Sequence, residues 1–296
     1  MWFAFLIGHL GMLLWPFDLF ANFRVQYMGL FALGVLALTI ARWRKMAIVA
    51  LLGVAATTAS MARYFPEAER AVADGVAFRL LTFNVWFRND ELPRVASFLE
   101  RSQADVIVLQ EVDLSRLDEL SRELPSYPHH VQTPKVRRGL AIFSRTALSD
   151  VEHFEIPARI TRISRVKVAW RGASIAVIGT HLRWPVSPAK ARQRAWELGM
   201  IADRVRLETG PVLIAGDMNL TPWSRFFDRF VERTGLHDCA LGQGLLPTWP
   251  SQFIPLRIRI DQCFASSHWQ VRDVEIGTWL GSDHLPQTID LVLRAR

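Results

Sequence analysis

The stretch Val212–Ser224, VLIAGDMNLTPWS, contains an apolar strand that ends in polar side chains. Four apolar residues run directly into Gly216, which is typical of a strand buried inside a sheet. Asp217 and Asn219 follow two positions apart, so an extended chain presents both side chains on one face. Because a carboxylate is rarely buried without a partner, this strand end predicts a functional site.

Other strands of the chain end in the same way. After residue 75, short apolar strands alternate with amphipathic helices, which is an α/β pattern. Four further strand-end residues could bind a metal ion or a phosphate group: Asn84, Glu111, His181 and Asp261. A loop before the last strand adds Asp283 and His284. Each residue alone also has a structural explanation, but open α/β sheets place their sites just beyond strand ends, so we expect these side chains to meet.

The residue types at these positions favour a divalent cation bound by oxygen atoms. Carboxylate and amide oxygens suit Mg²⁺ or Mn²⁺, whereas the Cys and His pairs of a zinc site are missing from the sequence. Histidines beside carboxylates can hold a proton close to anionic phosphoryl oxygens. The sequence has no glycine-rich phosphate-binding motif, which argues against kinase or ATPase chemistry. We therefore expect metal-assisted attack of water on a phosphorus centre.

Six ordered segments of the chain resemble the endonuclease/exonuclease/phosphatase superfamily, whose members have the DNase I-like fold. They are TFNVW, ADVIVLQEV, IGTHL, AGDMN, RIDQCF and GSDHLP. The resemblance covers about residues 76–293 and implies a four-layer α/β sandwich, in which two packed β-sheets are flanked by helices. The segments NFRVQY, TPWS and PTWP are similar to a bacterial branch of the superfamily that carries an N-terminal membrane anchor.

The resemblance implies a metal site at three positions. Glu111 matches the main metal ligand, with Asn84 and Asp283 nearby, and the expected cofactor is Mg²⁺ or Mn²⁺. Some members, notably the abasic-site DNA-repair nucleases, have an acidic residue where this chain has Trp86. This difference weakens the similarity to that branch and leaves the others open.

The resemblance also implies catalytic roles for five residues. Asp217 is expected to orient or deprotonate the attacking water, and Asn219 is expected to hold both Asp217 and the phosphate. His284, kept charged by Asp261, and His181 are expected to contact the phosphate.

The segment HLRWP places Arg183 and Trp184 directly after the strand that ends at residue 181. Arg183 is expected to bind a second phosphate, and Trp184 to stack on a base or contact lipid; a solvated Arg and a packed Trp are the structural alternative. The leading function is a phosphodiesterase or phosphatase acting on lipid-linked or small-molecule phosphoesters. The alternatives are an extracytoplasmic DNA or RNA nuclease and a catalytically inactive, membrane-anchored binding protein. Nothing in the sequence indicates a protein partner.

The N-terminal part of the chain is far more apolar than the remainder. Three apolar stretches predict about three transmembrane helices: Met1–Phe23, Val25–Ile40 and Met46–Met61. We therefore predict a membrane anchor over residues 1–63, a linker over 64–75 and a catalytic domain over 76–296. Asp18, beside Pro16, is expected near the end of a span, at the membrane interface.

Charge predicts how the chain lies in the membrane. Arg42, Arg44 and Lys45 lie between the second and third apolar stretches, and such loops face the cytoplasm. The catalytic domain is then expected on the periplasmic side of the inner (cell) membrane. The chain's net charge of +7 is scattered over strand-like patterns, with no basic stripe typical of a nucleic-acid-binding domain. Cys239 and Cys263 could be joined in an oxidising compartment or could remain buried thiols.

Overall fold

Two six-stranded β-sheets form the centre of the structure, a computed structural model that describes residues 1–65, 75–134, 137–156 and 159–294. The strands are β1 (Ala77–Asn84), β2 (Val106–Val112), β3 (His129–Gln132), β4 (Gly139–Ser144), β5 (Leu148–Ile156), β6 (Arg159–Trp170), β7 (Ala173–His181), β8 (Val212–Asp217), β9 (His237–Asp238), β10 (Asp261–Ala265), β11 (Trp269–Ile276) and β12 (Gln287–Leu293). The helices are α1 (Trp2–Ile7), α2 (Trp15–Ala21), α3 (Arg24–Ile40), α4 (Arg44–Met61), α5 (Leu92–Ser102), α6 (Leu114–Glu123), α7 (Pro188–Val205) and α8 (Arg225–Thr234).

The two sheets pack face to face around one apolar core. The first sheet has the strand order β11-β12-β1-β2-β4-β3, and the second has the order β5-β6-β7-β8-β10-β9. Leu80 and Val108 of the first sheet belong to the same buried cluster as Val177 and Leu213 of the second. Because the central strands are buried on both faces, their sequences are almost continuously apolar.

Helices cover the outer face of each sheet. Val95 and Leu99 of α5 are buried with the outward-facing residues of the first sheet. Leu198 and Ile201 of α7 are buried in the same way against the outer face of the second sheet, where residues of α8 also pack. The layers are therefore helix, sheet, sheet, helix, which confirms the predicted four-layer α/β sandwich.

The first apolar stretch, Met1–Phe23, does not form the single spanning helix that the sequence predicts. It folds back on itself as α1 and α2, because glycines allow close contact: a Cβ at Gly8 would lie 2.9 Å from the backbone nitrogen of Ala21. Among the described residues, one helix is long and apolar enough to span a membrane, Arg44–Tyr64, with a mean hydropathy of 1.6. The pair α2 and α3, bent by 61°, passes the same criteria only when taken together. By length and composition, the described residues therefore contain one or two candidate spans, whereas the sequence predicts about three.

Asp18 is packed inside the protein, a position that the sequence does not predict. Its side chain is buried, with the residue only 1% exposed, and it forms an ion pair with Arg194 of α7, with 2.5 Å between the closest atoms. The N-terminal helices therefore pack directly on the domain that follows them. Most of the predicted linker, residues 66–74, lies outside the described part of the chain.

Candidate active site

The pairing of strands in the second sheet aligns three of the predicted site residues. His181 of β7 lies opposite Asp217 of β8 in a parallel pair, and Asp261 of β10 lies opposite Asp217 in an antiparallel pair. Gly216 permits this alignment, because its φ is +142° and a Cβ there would lie 2.0 Å from the carbonyl oxygen of Thr180. One row across the sheet thus presents a histidine and two carboxylates.

The first sheet contributes Asn84 and Glu111 at the ends of β1 and β2. Glu111 lies at an irregularity of the β2–β4 pairing and has a φ of +62°, which is typical of a bulge that redirects a side chain. Its Oε2 accepts a hydrogen bond of 3.1 Å from the backbone N–H of Phe87. Asn84 Nδ2 donates to Asp217 Oδ2 over 3.1 Å. This last bond joins the two sheets at the site.

The loop between β11 and β12 brings Asp283 and His284 to the same place. Ser282 fixes this loop, since its hydroxyl donates to the carbonyl oxygen of Asn84 over 2.7 Å and accepts the backbone N–H of His284 over 3.0 Å. Trp249 Nε1 donates to Asp283 Oδ2 over 3.2 Å. The loop is therefore held against the first sheet by Ser282 and against the segment between β9 and β10 by Asp283.

Asp217 is a buried carboxylate whose orientation is set by its neighbours. Its Oδ1 accepts the backbone N–H of Asn219 over 2.9 Å, and Asn219 Nδ2 in turn donates to the carbonyl oxygen of Leu182 over 3.0 Å. Burial raises the pKa of Asp217 to about 7, and the charge of Asp261 acts in the same direction. The charge of His284 opposes this rise. A carboxylate with such a pKa can accept a proton near neutral pH.

His284 is held in its charged form by Asp261. The His284 Nδ1 and Asp261 Oδ2 atoms are 2.8 Å apart. Burial alone would lower the pKa of His284, but the charge and hydrogen bond of Asp261 outweigh it and raise the pKa to about 9. The opposite ring nitrogen, Nε2, is 3.8 Å from Asp217 Oδ2. His284 can therefore offer a charged N–H donor to an anionic group.

His181 is in its neutral form, because its surroundings lower its pKa instead of raising it. Burial, followed by the charges of Arg162, His284 and Arg183, lowers its pKa well below the usual value. Arg162 Nη1 lies 3.4 Å from His181 Nδ1, and a guanidinium can only donate, so the proton of His181 is assigned to Nε2. That atom lies 3.7 Å from Asp217 Oδ2 and faces the site.

These residues surround a cavity of about 350 Å³. Nine of the ten predicted site residues line it: Asn84, Glu111, His181, Arg183, Trp184, Asp217, Asn219, Asp283 and His284. Asp261 lies behind His284. The lining residues that sequence reasoning missed are Asn22, Arg138, Arg162, Leu182, Lys190, Trp249, Ile258 and Ile260. Four of them lie in segments that carry the family resemblance, although no role was predicted for them: Asn22, Leu182, Trp249 and Ile260. The other four, Arg138, Arg162, Lys190 and Ile258, come from parts of the chain whose proximity no local pattern indicates.

The oxygen atoms at one side of the cavity fit a hard divalent cation. Asp283 Oδ1 is buried and has no hydrogen-bond partner, and Glu111 and Asn84 line the same cavity. A second group of close ligand atoms is formed by Asp217, Asp261 and His284, all within 4.8 Å of one another. In that group His284 Nδ1 and Asp261 Oδ2 are already bonded to each other, so two of the potential ligand atoms are engaged within the protein. The set around Glu111 is therefore the better candidate for metal binding.

Comparisons with known proteins agree with this arrangement. The sequence profile of the endonuclease/exonuclease/phosphatase family matches residues 81–284. Human sphingomyelin phosphodiesterase 2 is 24% identical over 193 residues, which are 55% of this chain and 46% of that protein, so the chain spans about half of this relative.

One similar solved structure is a family member from Bacteroides thetaiotaomicron, which is 19% identical in sequence and has a TM-score of 0.64. The match covers 75% of this chain and 100% of that chain. A member from Bacteroides vulgatus has 22% identity, covers 74% of this chain and 100% of its own, and has a TM-score of 0.63. TDP2 from D. rerio, complexed with a single-strand DNA product, is 17% identical in sequence and has a TM-score of 0.61. The match covers 74% of this chain and 100% of that chain. These structures share the fold, the profile spans the residues that build the site, and the chain belongs to the endonuclease/exonuclease/phosphatase family.

Proposed function

We propose that this protein is a divalent-metal-dependent phosphoester hydrolase anchored in a membrane by its N-terminal helices. The observation that supports this best is the convergence of the carboxylates, the two histidines and two asparagines around one cavity. The family membership favours the same reaction. An inactive binding protein would not need this complete set of groups, each with its orienting partner.

Different side chains at the site carry out different parts of the hydrolysis. Asp217, with its pKa near 7, accepts a proton from the attacking water, and the Asn219 N–H holds its carboxylate in place. The charged His284 and the neutral His181 each direct an Nε2–H toward the phosphoryl oxygens, where negative charge develops. Asn84, Glu111 and Asp283 would hold Mg²⁺ or Mn²⁺, which when bound polarises the phosphoryl group and stabilises the leaving oxygen.

Positive charge on one side of the cavity favours a strongly anionic substrate. Arg138, Arg162, Arg183 and Lys190 all line the cavity. Burial and the charges of Arg183 and Arg138 lower the pKa of Arg162, and its Nε is buried without a hydrogen-bond partner. The charges of Glu111 and of Glu197, which accepts the backbone N–H of Arg183, oppose this lowering of the pKa but do not cancel it. A substrate with a negative group beyond the scissile phosphate would relieve the remaining repulsion.

Apolar side chains around the same cavity favour a lipid phosphoester. Trp184 lines the cavity and is 58% exposed. Phe253 and Ile254 are exposed on a loop that leads into the cavity residue Ile258. Gln26, in the first turn of α3, donates to carbonyl oxygens of this loop and so holds it beside the anchor. Exposed apolar groups next to a membrane helix are suited to contact lipid.

Substrate choice can be tested with the purified full chain in mixed micelles containing Mg²⁺. We expect hydrolysis of sphingomyelin or phosphatidylglycerol and no cleavage of a single-stranded oligonucleotide. Trp184→Ala should raise KM for the micellar lipid about tenfold, through loss of roughly 1.4 kcal/mol of apolar contact, and leave hydrolysis of bis-p-nitrophenyl phosphate unchanged. Salt-sensitive cleavage of the oligonucleotide without lipid turnover would instead support a nuclease.

The placement in the inner membrane, with the domain on the periplasmic side, is also our proposal. It is supported by Leu33 and Leu36 of α3 and Leu51 of α4, which are exposed to the surroundings of the protein as in a bilayer-facing surface. Arg42 lies between α3 and α4, and Arg44 and Lys45 begin α4, so all three lie at the end of this helical hairpin away from Arg24 and Met61.

A pair of reporter fusions tests this topology. Alkaline phosphatase is active only outside the cytoplasm, so a fusion after Met61 should be active and a fusion after Lys45 should be inactive. The reverse pattern, with both fusions expressed, would contradict the proposed orientation.

A further inference from the structure

The loop that follows the Asp217–Asn219 strand end is bound to the N-terminal segment. We call residues 221–224, TPWS, the docking loop. Thr221 Oγ1 donates to Asn22 Oδ1 over 2.9 Å, and the Ser224 hydroxyl donates to Asp18. The Trp223 ring packs edge-to-face on Tyr64, with 5.1 Å between ring centroids. The carbonyl oxygen of Pro222 accepts a hydrogen bond of 3.3 Å from Arg63 Nη2, so all four residues of this loop contact residues that precede the catalytic domain.

Asp18 is connected to a catalytic residue through a single buried side chain. Arg194 uses one terminal nitrogen, Nη2, to bind Asp18 Oδ2 over 2.5 Å and the other, Nη1, to donate to the carbonyl oxygen of Asn219 over 2.7 Å. Arg194 is only 2% exposed. A guanidinium so deeply buried requires a paired carboxylate, and Asp18 provides it.

The position of Asn219 depends on this connection. Asn219 has a φ of +47°, in the left-handed region that non-glycine residues occupy only when the surroundings hold them there. Its carbonyl is fixed by Arg194 and its N–H is bonded to Asp217 Oδ1. A movement of Arg194 would therefore be transmitted to the carboxylate that accepts the proton from water.

The same segment also reaches the cavity directly. Asn22 lines it, as do Asn219 and Trp249. The bond from Thr221 uses the carboxamide oxygen of Asn22, which leaves the amide N–H groups as its available donors. An amide donor at this place is suited to an oxygen atom of a phosphoester substrate.

We propose that the N-terminal segment is part of the active site as well as an anchor. Asp18 is a positioning residue that acts through Arg194 on Asn219, and Asn22 is a substrate-binding residue. This inference rests on the proposed phosphoester hydrolysis. It assigns the docking loop a definite task, which is to attach the N-terminal segment at the strand end that bears Asp217 and Asn219.

The two roles predict different kinetic effects in the full chain with bis-p-nitrophenyl phosphate and Mg²⁺. Asp18→Asn should lower kcat about 10- to 100-fold with KM unchanged, because it shifts Asn219 relative to the reacting groups. Asn22→Ala should raise KM about tenfold with kcat unchanged, because it removes a donor to the substrate. A segment that only anchors the protein would affect neither constant for this soluble substrate.

Tyr64→Phe is the matched control. It removes another buried hydrogen bond of the same N-terminal segment, the 2.9 Å bond from the Tyr64 hydroxyl to Asp238 Oδ2, which has no link to Asn219. We expect it to lower the Tm and to leave kcat unchanged. An equal loss of kcat in Tyr64→Phe, or a wild-type kcat in Asp18→Asn, would overturn the positioning role.

Hydrogen exchange gives a readout that does not depend on turnover. Asp18→Asn should increase amide exchange in peptides covering residues 217–224, whereas Tyr64→Phe should increase it around residues 237–242. Unchanged exchange at residues 217–224 in Asp18→Asn would contradict the inference even if the wild-type protein had no activity. Absence of wild-type turnover together with the expected exchange pattern would instead count against the proposed function alone.

Discussion

Asp217→Asn is expected to lower kcat for hydrolysis of bis-p-nitrophenyl phosphate by about 100- to 10,000-fold, the range associated with loss of a general base. The substitution preserves the shape of the side chain, and Oδ1 can still accept the Asn219 N–H. It removes a group that can take up a proton and whose pKa burial raises to about 7. It also removes the acceptor of the hydrogen bond from Asn84 Nδ2, because the new amide nitrogen can only donate. KM should change little, since the carboxylate acts on the water. Steady-state kinetics of the purified full chain measures both constants.

Asp203→Asn makes the same chemical change on the surface and serves as the control. The Asp203 side chain is 62% exposed on α7, where it pairs with Arg233. The kcat of Asp203→Asn should equal that of the wild type. If Asp217→Asn retained more than a tenth of the wild-type kcat while remaining folded, Asp217 would not be the proton acceptor.

Glu111→Gln is expected to reduce activity at least about 100-fold at a fixed Mg²⁺ concentration. Loss of a group that merely orients a metal ligand can lower activity by up to about 100-fold, and loss of the ligand itself should cost no less. Glutamine can still accept the Phe87 N–H that orients Glu111, so the fold should persist. The lost negative charge should weaken metal binding. The activation curve for Mg²⁺ should therefore shift to higher concentration, and isothermal titration calorimetry should show a weaker affinity.

The exposed residue Glu123, at the end of α6, gives the matched control Glu123→Gln, which should bind Mg²⁺ like the wild type. An unchanged Mg²⁺ affinity in Glu111→Gln would place the metal elsewhere. The group formed by Asp217, Asp261 and His284 would then become the alternative, and Asp261→Asn should weaken the affinity instead.

Strand ends made much of the site predictable from sequence. A buried strand must be apolar, so a carboxylate at its end, as in VLIAGD, stands out against the pattern. Asp217 and Asn219 do meet at the site, but through a turn and not through the predicted alternation, because β8 ends at Asp217 and Asn219 has a φ of +47°. Asp261 and His284 could be expected at the site through the family resemblance, but their 2.8 Å pairing needed the structure.

Edge strands were harder to predict. The strand β5, LSDVEHFEI, lies at the edge of the second sheet and carries acidic residues, as edge strands often do. Its sequence lacks the apolar run by which the central strands were identified. The strands β3 and β9 are short, with four and two residues, and give no periodic signal.

Contacts between distant parts of the chain could not be predicted either. Asp18 and Arg194 are 176 residues apart, and nothing local to either residue indicates its partner. The composition of the first stretch predicted a spanning helix because it reports average hydrophobicity, whereas the fold depends on where Gly8 and Gly11 allow the chain to turn back. The docking loop shows the same limit, since TPWS was recognised as a motif but its binding to the N-terminal segment was not.

The central claim is that the cavity between the two sheets hydrolyses phosphoesters with a divalent cation held near Glu111. The most direct test is turnover of bis-p-nitrophenyl phosphate by the full chain, stripped with EDTA and then titrated with Mg²⁺ or Mn²⁺. We expect no turnover in the stripped protein, recovery with either cation, and no recovery in Asp217→Asn. Turnover that persists in EDTA, or that returns equally in Asp217→Asn, would contradict this claim.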